Sequence, residues 1–322
     1  MFFQRATTMT TPETPYALAD ITVGIFLITL CIFGAFGNSL AFFFFYAKGQ
    51  RKGSVHNMLY TIISGCDTIL LITMMLYLPT LLTNRAEMLF GNSTFCISFV
   101  LVLMTLGRFT WLMVVTISTC RTICIIFPHY VMRARTIGMG LVAYFLMVVF
   151  IDILGLTLGW QKFRYFITAA SCLYMRTEAA PAWFKIFWTI NILTQFIIPS
   201  ILIFASFLVS TVALLRRVTV QNETDKKFRR ASITITLFTA VFLFCNIPCF
   251  AFQIIFTISL ITMKQINNHF LTWYGLMVLQ ILATALNSAL NPCLYFLRMK
   301  NFKTWTRNKL YRRPTDSEVY HS

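Results

Sequence analysis

The sequence is poor in charge and poorest in acid. Of 322 residues only 11% are charged, and only 10 are Asp or Glu. Soluble domains carry about 25% charged residues and roughly 45–50% apolar ones; here 58% are hydrophobic, with a mean hydropathy of +0.73. One soluble core of this size could not hide that much apolar surface. A soluble enzyme and a disordered scaffold are thereby excluded, and an integral membrane protein remains. Internal repeats, metal-ligand cysteine spacings and a basic-then-apolar cleavable leader are all missing from the sequence. So are the short alternating strands of a membrane barrel.

What is present is a set of seven long apolar runs, at 21–47, 57–84, 88–120, 136–160, 186–215, 231–263 and 265–297. Each exceeds the ~20 residues that cross a bilayer core as a helix. Four contain no charged residue, and the others contain one each: Asp67, Arg108 and Asp152. The expected fold class is therefore an all-α membrane bundle of seven transmembrane helices. Residues 1–20 are expected to form an outer tail, 21–297 the bundle, and 298–322 a short amphipathic eighth helix with a basic tail.

The formal charge of +17 is read by membrane side. With the N-terminus outside, 19 of the 27 Lys and Arg fall on the inner side, seven on the outer side, and Arg108 within the membrane. This asymmetry puts the N-terminus outside and the C-terminus in the cytoplasm. It accounts for the basic balance without nucleic acid as a partner.

Asp67 lies in the middle of the second run. A lone acid in a membrane is either a functional site or one node of an interhelical hydrogen-bond knot. Its candidate neighbours are Asn38, Thr110, Asn287, Ser288 and Asn291, whose oxygens would also suit a hard cation or a proton. Arg108 has two readings as well: a grip on a ligand carboxylate, or a salt bridge to Asp152, since isolated membrane charges are costly. Pro199, Pro248 and Pro292 each remove a helical hydrogen bond and permit a kink. Seven of the cysteines, 31, 66, 120, 124, 245, 249 and 293, read as small apolar packing residues.

The ordered motifs resemble those of a rhodopsin-like (family A) G-protein-coupled receptor over nearly the whole chain. They are Gly37-Asn38; Ser64-Gly65-Cys66-Asp67; Cys96 with Arg121 following 25 residues later; Pro128 and Tyr130; Cys172; Pro199; Phe242 with Cys245-Asn246-Ile247-Pro248; Asn287-Ser288; Asn291-Pro292-Cys293-Leu294-Tyr295; and Phe302. The resemblance implies a disulfide between Cys96 and Cys172. It gives Arg121, Phe242, Pro248, Asn291, Pro292 and Tyr295 the coupling role, and it puts a sodium ion at Asp67, Thr110, Asn287 and Asn291. No other cofactor and no catalytic chemistry are implied. The implied ligand pocket is lined by Leu103, Met104, Gly107, Arg108, Asn191, Gln195, Asn246, Phe250, Gln253, Met277 and Ile281. The implied partners are an extracellular ligand, a heterotrimeric G protein and the lipid bilayer of the plasma membrane.

Several departures from the family pattern stand out. Cys120 and Thr122 replace the acid and tyrosine that flank the helix-three arginine, and Asn246 replaces the helix-six tryptophan. Leu103 stands where amine receptors carry an aspartate, and Ala285 where opsins carry the retinal lysine. Amine and retinal ligands are thus disfavoured, and a peptide or a small neutral chemosensory molecule fits better. The departures point to a divergent branch of the invertebrate peptide or chemosensory kind. A proton- or ion-coupled transporter or channel remains the alternative from another class, as does a receptor-like protein that signals poorly.

Overall fold

The computed structural model describes residues 15–52, 55–83, 93–127, 133–160, 165–168, 171–174, 182–216, 223–262 and 270–311. Every apolar run becomes a helix: α1 (Pro15–Lys52), α2 (Val55–Thr83), α3 (Ser93–Ile126), α4 (Ala134–Trp160), α5, α6 (Glu223–Thr262) and α7 (Phe270–Arg298). α5 is continuous but irregular, running from Ala182–Ile192 through a π-helical turn, Leu193–Ile197, into Ile198–Arg216. A short α8 (Lys300–Tyr311) follows α7. The chain is an all-α seven-helix bundle. By length and composition Thr22–Lys48, Val55–Leu76, Leu101–Cys124 and Ala134–Gly155 each suffice to cross a membrane, and Ile198–Ala213 and Thr236–Ala251 are shorter apolar stretches.

Helix ends depart from the apolar runs where charge or capping intervenes. α6 begins eight residues before its run, at Glu223. Glu223 and Asp225 in that first turn suit the positive end of the helix dipole, so the helix extends past the apolar segment. The starts of the third and seventh runs, 88–92 and 265–269, lie outside the described residues. One element has no counterpart in the sequence reading. Between α4 and α5 an antiparallel hairpin pairs β1 (Tyr165–Thr168) with β2 (Ser171–Tyr174), Ile167 facing Cys172. Its four-residue strands are too short for alternation to reveal them.

α3 is central: it packs against α2, α4, α5 and α6, and β2 lies against it. α1 packs on α2 and α7. Two glycines set that approach. A Cβ on Gly34 would come within 2.9 Å of the Ala289 backbone, and one on Gly37 within 2.7 Å of the Pro292 ring. Neither backbone nor a proline ring can swing aside, so only glycine fits. Outward faces carry Phe26, Phe33, Phe36 and Phe43 on α1, and Val142, Leu146 and Phe150 on α4, all exposed. Surfaces this apolar are met in water only at interaction sites; on a seven-helix bundle they are the lipid-facing surface.

Candidate functional site

A polar knot joins α1, α2 and α7. Asp67 has no exposed surface. Ser288 donates to its Oδ1 at 2.9 Å and the Asn291 amide to its Oδ2 at 2.6 Å. Asn38 donates through Nδ2 to the Gly34 carbonyl at 2.9 Å and to the Ser288 carbonyl at 2.8 Å. The i, i+3 spacing of Ser288 and Asn291 puts both on one face of α7. Of the five candidate neighbours, Ser288 and Asn291 bond to Asp67, whereas Thr110 and Asn287 are buried but not bonded to it. The hydroxyl of Thr110 and Oδ1 of Asn38 are buried without a hydrogen-bond partner. Each carboxylate oxygen can accept a second bond. Thr110 and Asn38 thus each keep a buried oxygen able to accept a further bond, and the Asp67 carboxylate keeps spare lone pairs.

A second polar junction links α3 to α4. Arg108 is ion-paired with Asp152, and Thr105 donates to the other carboxylate oxygen of Asp152 at 2.9 Å. All three residues are buried. Of the two roles open to Arg108, the structure forms the salt bridge.

The middle of the bundle is aromatic. Trp111 on α3 meets Phe196 of α5 and Phe242 and Phe250 of α6 edge-on, with ring centroids 5.3, 5.1 and 5.2 Å apart. Asn246 lies between the two α6 rings and donates to the Phe242 carbonyl at 2.8 Å. Towards the α8 end, α3 and α6 share a buried hydrogen bond between the hydroxyls of Ser118 and Thr239, 3.2 Å apart. Thr122, beside the helix-three arginine, donates to the Ser206 carbonyl of α5 at 3.5 Å. Trp111 drew no attention in the sequence reading. The signal was there: a tryptophan stands ten residues before Arg121 in a chain whose α6 carries Asn246 where the family pattern has a tryptophan.

Pro199 shapes α5 differently from a simple kink. Its ring would strike the carbonyl four residues earlier, and it has no N–H to give. The π turn at Leu193–Ile197 absorbs both problems by widening the ladder, and Ile198 N–H bonds to the Leu193 carbonyl, five residues back. Ser200 donates to the Phe196 carbonyl at 2.6 Å. The turn lies just after Asn191, whose side-chain carbonyl oxygen is buried and unpaired.

At the α8 end, Tyr295 is 1% exposed, enclosed by Phe45, Tyr60 and Phe302. Phe302 and Trp305 of α8 also pack on Phe44 of α1. These rings hold α8 against the bundle.

Leu103, Met104, Gly107 and Ile281 are partly buried, and Asn191 and Asn246 are buried. The side chains of Cys96, Arg121, Cys172, Gln195, Gln253 and Met277 lie outside the described residues, as do Pro128 and Tyr130. The strand bearing Cys172 nevertheless packs on the helix bearing Cys96. An open groove of about 560 Å³ between α2 and α4, lined by Met58, Arg135, Gly138 and Met139, lies away from all of these polar groups on the lipid-facing side.

The sequence matches the profile of the 7 transmembrane receptor (rhodopsin family) over residues 37–295. The matched stretch contains the seven spans except for the beginning of α1 and the last residues of α7. The chain belongs to that family, and it is a multi-pass membrane protein of receptor type. No curated protein matches the sequence.

Breaking one side of a buried ion pair strands a charge, at a cost of about 3–5 kcal/mol, whereas replacing both sides by apolar groups is often neutral. Arg108→Leu and Asp152→Leu are each expected to cut the yield of folded protein sharply, and the double variant to recover most of it. Size-exclusion profiles of fluorescently tagged protein measure this. Losses that simply add in the double variant would contradict the pairing.

Proposed function

We propose that this receptor resides in the plasma membrane with its N-terminus outside and α8 in the cytoplasm, binds an extracellular peptide or small neutral molecule, and activates a heterotrimeric G protein by outward movement of the α8-end half of α6. The observation that carries this reading is the interior proline of α6, Pro248, beside the aromatic junction with α3. Ser118–Thr239 is a neutral hydroxyl pair, contributing about 1 kcal/mol. Pro248, inside α6, removes a ladder bond next to the aromatic junction and permits a bend. A helix with an interior proline is suited to swinging about it, and the cavity so opened would have Arg121 at its floor.

The ligand class follows from the lining. Asn191 offers a buried, unpaired carbonyl oxygen, so a ligand bearing a hydrogen-bond donor would satisfy it. Arg108 is already neutralised by Asp152, which removes the strongest attraction for an anionic ligand. A Cys96–Cys172 disulfide would fasten the hairpin over the pocket mouth, in keeping with the contact between β2 and α3. The family match favours the receptor reading over a transporter.

Ligand binding acts through its differential affinity for two states of α6. Cys120 stands where an acid would hold Arg121, and the foot of α6 carries Lys226, Lys227, Arg229 and Arg230, which repel it. The active state should therefore be populated without ligand. Cells expressing the unmodified receptor are expected to show basal second-messenger output, reduced by Cys120→Asp and abolished by Arg121→Ala at matched surface expression. Silence with each major G-protein class, or no reduction on Cys120→Asp, would count against the reading.

Asp67, Ser288 and Asn291, with Thr110, Asn38 and Asn287 around them, would hold a sodium ion. Such an ion would supply the positive charge that the buried carboxylate lacks and would tie α2, α3 and α7 together in the resting state. The expected outcome is a higher Tm in sodium chloride than in choline chloride of equal ionic strength, with the difference lost in Asp67→Asn. Thermal unfolding of purified protein measures this without any ligand. Equal Tm values in the two salts would mean that the knot is structural only.

A further inference from the structure

The groove between α2 and α4 has apolar walls and a charged mouth. Met58 of α2 and Gly138, Met139, Val142 and Leu146 of α4 form the walls, and the open volume is about 560 Å³. Small-ligand sites span about 300–1,000 Å³. Met139, Val142 and Leu146 are each more than half exposed. Gly138 keeps the floor open: even a Cβ there would come no nearer than 3.7 Å to the Met58 sulfur. Met58 and Met139 are flexible thioethers, which adapt to an irregular or mobile apolar guest. Among the lining residues Arg135 alone is polar.

The charge at this mouth is unbalanced. Arg133 and Arg135 are both exposed, and neither meets a carboxylate among the described residues. The first turn of α4 contains no acid. Two cations therefore stand at the positive end of a helix dipole, which is unfavourable unless an anion joins them. Neighbouring sequence offers none: 48–66 and 121–151 contain no Asp or Glu, while Lys48, Arg51 and Lys52 add further positive charge ahead of α2. The anion is left to come from outside the chain. A free phosphate would answer the charge and leave the apolar walls bare. A sterol or a neutral lipid would cover the walls and leave the charge unanswered. A phospholipid with a net negative headgroup does both.

We propose that the α2–α4 groove is a binding site for an anionic phospholipid, whose phosphodiester sits on Arg135 and Arg133 and one of whose acyl chains lies along Met58, Gly138, Val142 and Leu146. The planar guanidinium fork suits phosphate oxygens in pairs. The chain in the groove touches both helices and so braces α2 against α4. The groove opens at the α8 end of the bundle, which the topology proposed above puts in the cytoplasmic leaflet, where anionic lipids are found. The preference for an anion does not depend on that topology.

The test uses full-length protein in phosphatidylcholine nanodiscs doped with phosphatidylserine that carries a diazirine on its acyl chain, a probe present in both leaflets. Irradiation and peptide mass spectrometry then locate the chain. Labelling is expected to concentrate on the segments bearing Met58 and residues 138–146. It should exceed labelling by the matching phosphatidylcholine probe by about fivefold for each arginine engaged. Arg135→Gln is expected to cut that excess about fivefold, and Arg133→Gln added to it to bring the two probes close to parity. Gly138→Leu fills the groove without removing charge and is expected to lower groove labelling by both probes; Arg135→Gln, at an exposed position, decides the matter if that variant does not fold. Lys303→Gln is the control, since it removes one exposed cation from α8, away from the groove. Unlabelled phosphatidylglycerol should displace the probe, whereas cholesterol and inorganic phosphate should not. Labelling spread evenly over the lipid-facing helices, equal groove labelling by the two probes, displacement by cholesterol or by inorganic phosphate, or a loss in Lys303→Gln equal to that in Arg135→Gln would each overturn the proposal.

Discussion

A carboxylate in the middle of a bilayer has nowhere to place its charge except on other helices. Asp67 is that carboxylate, and the bundle is arranged around it. Its two oxygens are held by Ser288 and Asn291 of α7, and Asn38 of α1 ties to the backbone of the same turn. Those short bonds require α1 to come unusually close to α7, which explains why Gly34 and Gly37 face Ala289 and Pro292 with no room for a methyl group. Arg108 and Asp152 impose the same demand on α3 and α4. Two buried polar junctions thus fix five of the seven long helices.

α5 and α6 are held by other means. Among the described residues, their links to α3 include the edges of aromatic rings and a hydroxyl pair. Aromatic edges contribute about 0.5–1.5 kcal/mol each beyond burial, and a neutral hydrogen bond about 1. Opening a buried ion pair costs several times as much. Both helices also carry backbone irregularities, a π turn in α5 and an interior proline in α6. Under the proposed receptor function, the polar junctions would be the static part and α6 the part that moves.

The fold was legible in the sequence because bilayer physics leaves few choices. Apolar runs longer than a membrane core become helices, and an isolated charge within them announces a partner. On that ground a pairing with Asp152 was one of two roles open to Arg108, and Asn291 one of five candidate neighbours of Asp67. Ser288 was visible only as a neighbour, because a hydroxyl on the right face of α7 is identified by geometry rather than by residue type. The hairpin between α4 and α5 was not legible, since two four-residue strands lack a period to detect. The π turn was hidden behind Pro199: a proline signals that the ladder must break but not how. Trp111 escaped for a different reason. Its importance lies in which rings surround it, and an aromatic residue in an apolar run looks like ordinary packing until three helices are brought together.

The division into a static and a moving part is tested most directly by pulsed electron-spin distance measurements on nanodisc-embedded protein. One pair of non-cysteine spin labels would span the α8 ends of α4 and α6, and a second pair the α8 ends of α1 and α4. On adding a nucleotide-free heterotrimeric G protein, the α4–α6 distance is expected to gain a longer population, while the α1–α4 distribution stays as it was. A lengthened α1–α4 distance with α4–α6 unchanged would contradict the assignment of α6 as the moving helix and of the Asp67 and Arg108 junctions as the fixed frame.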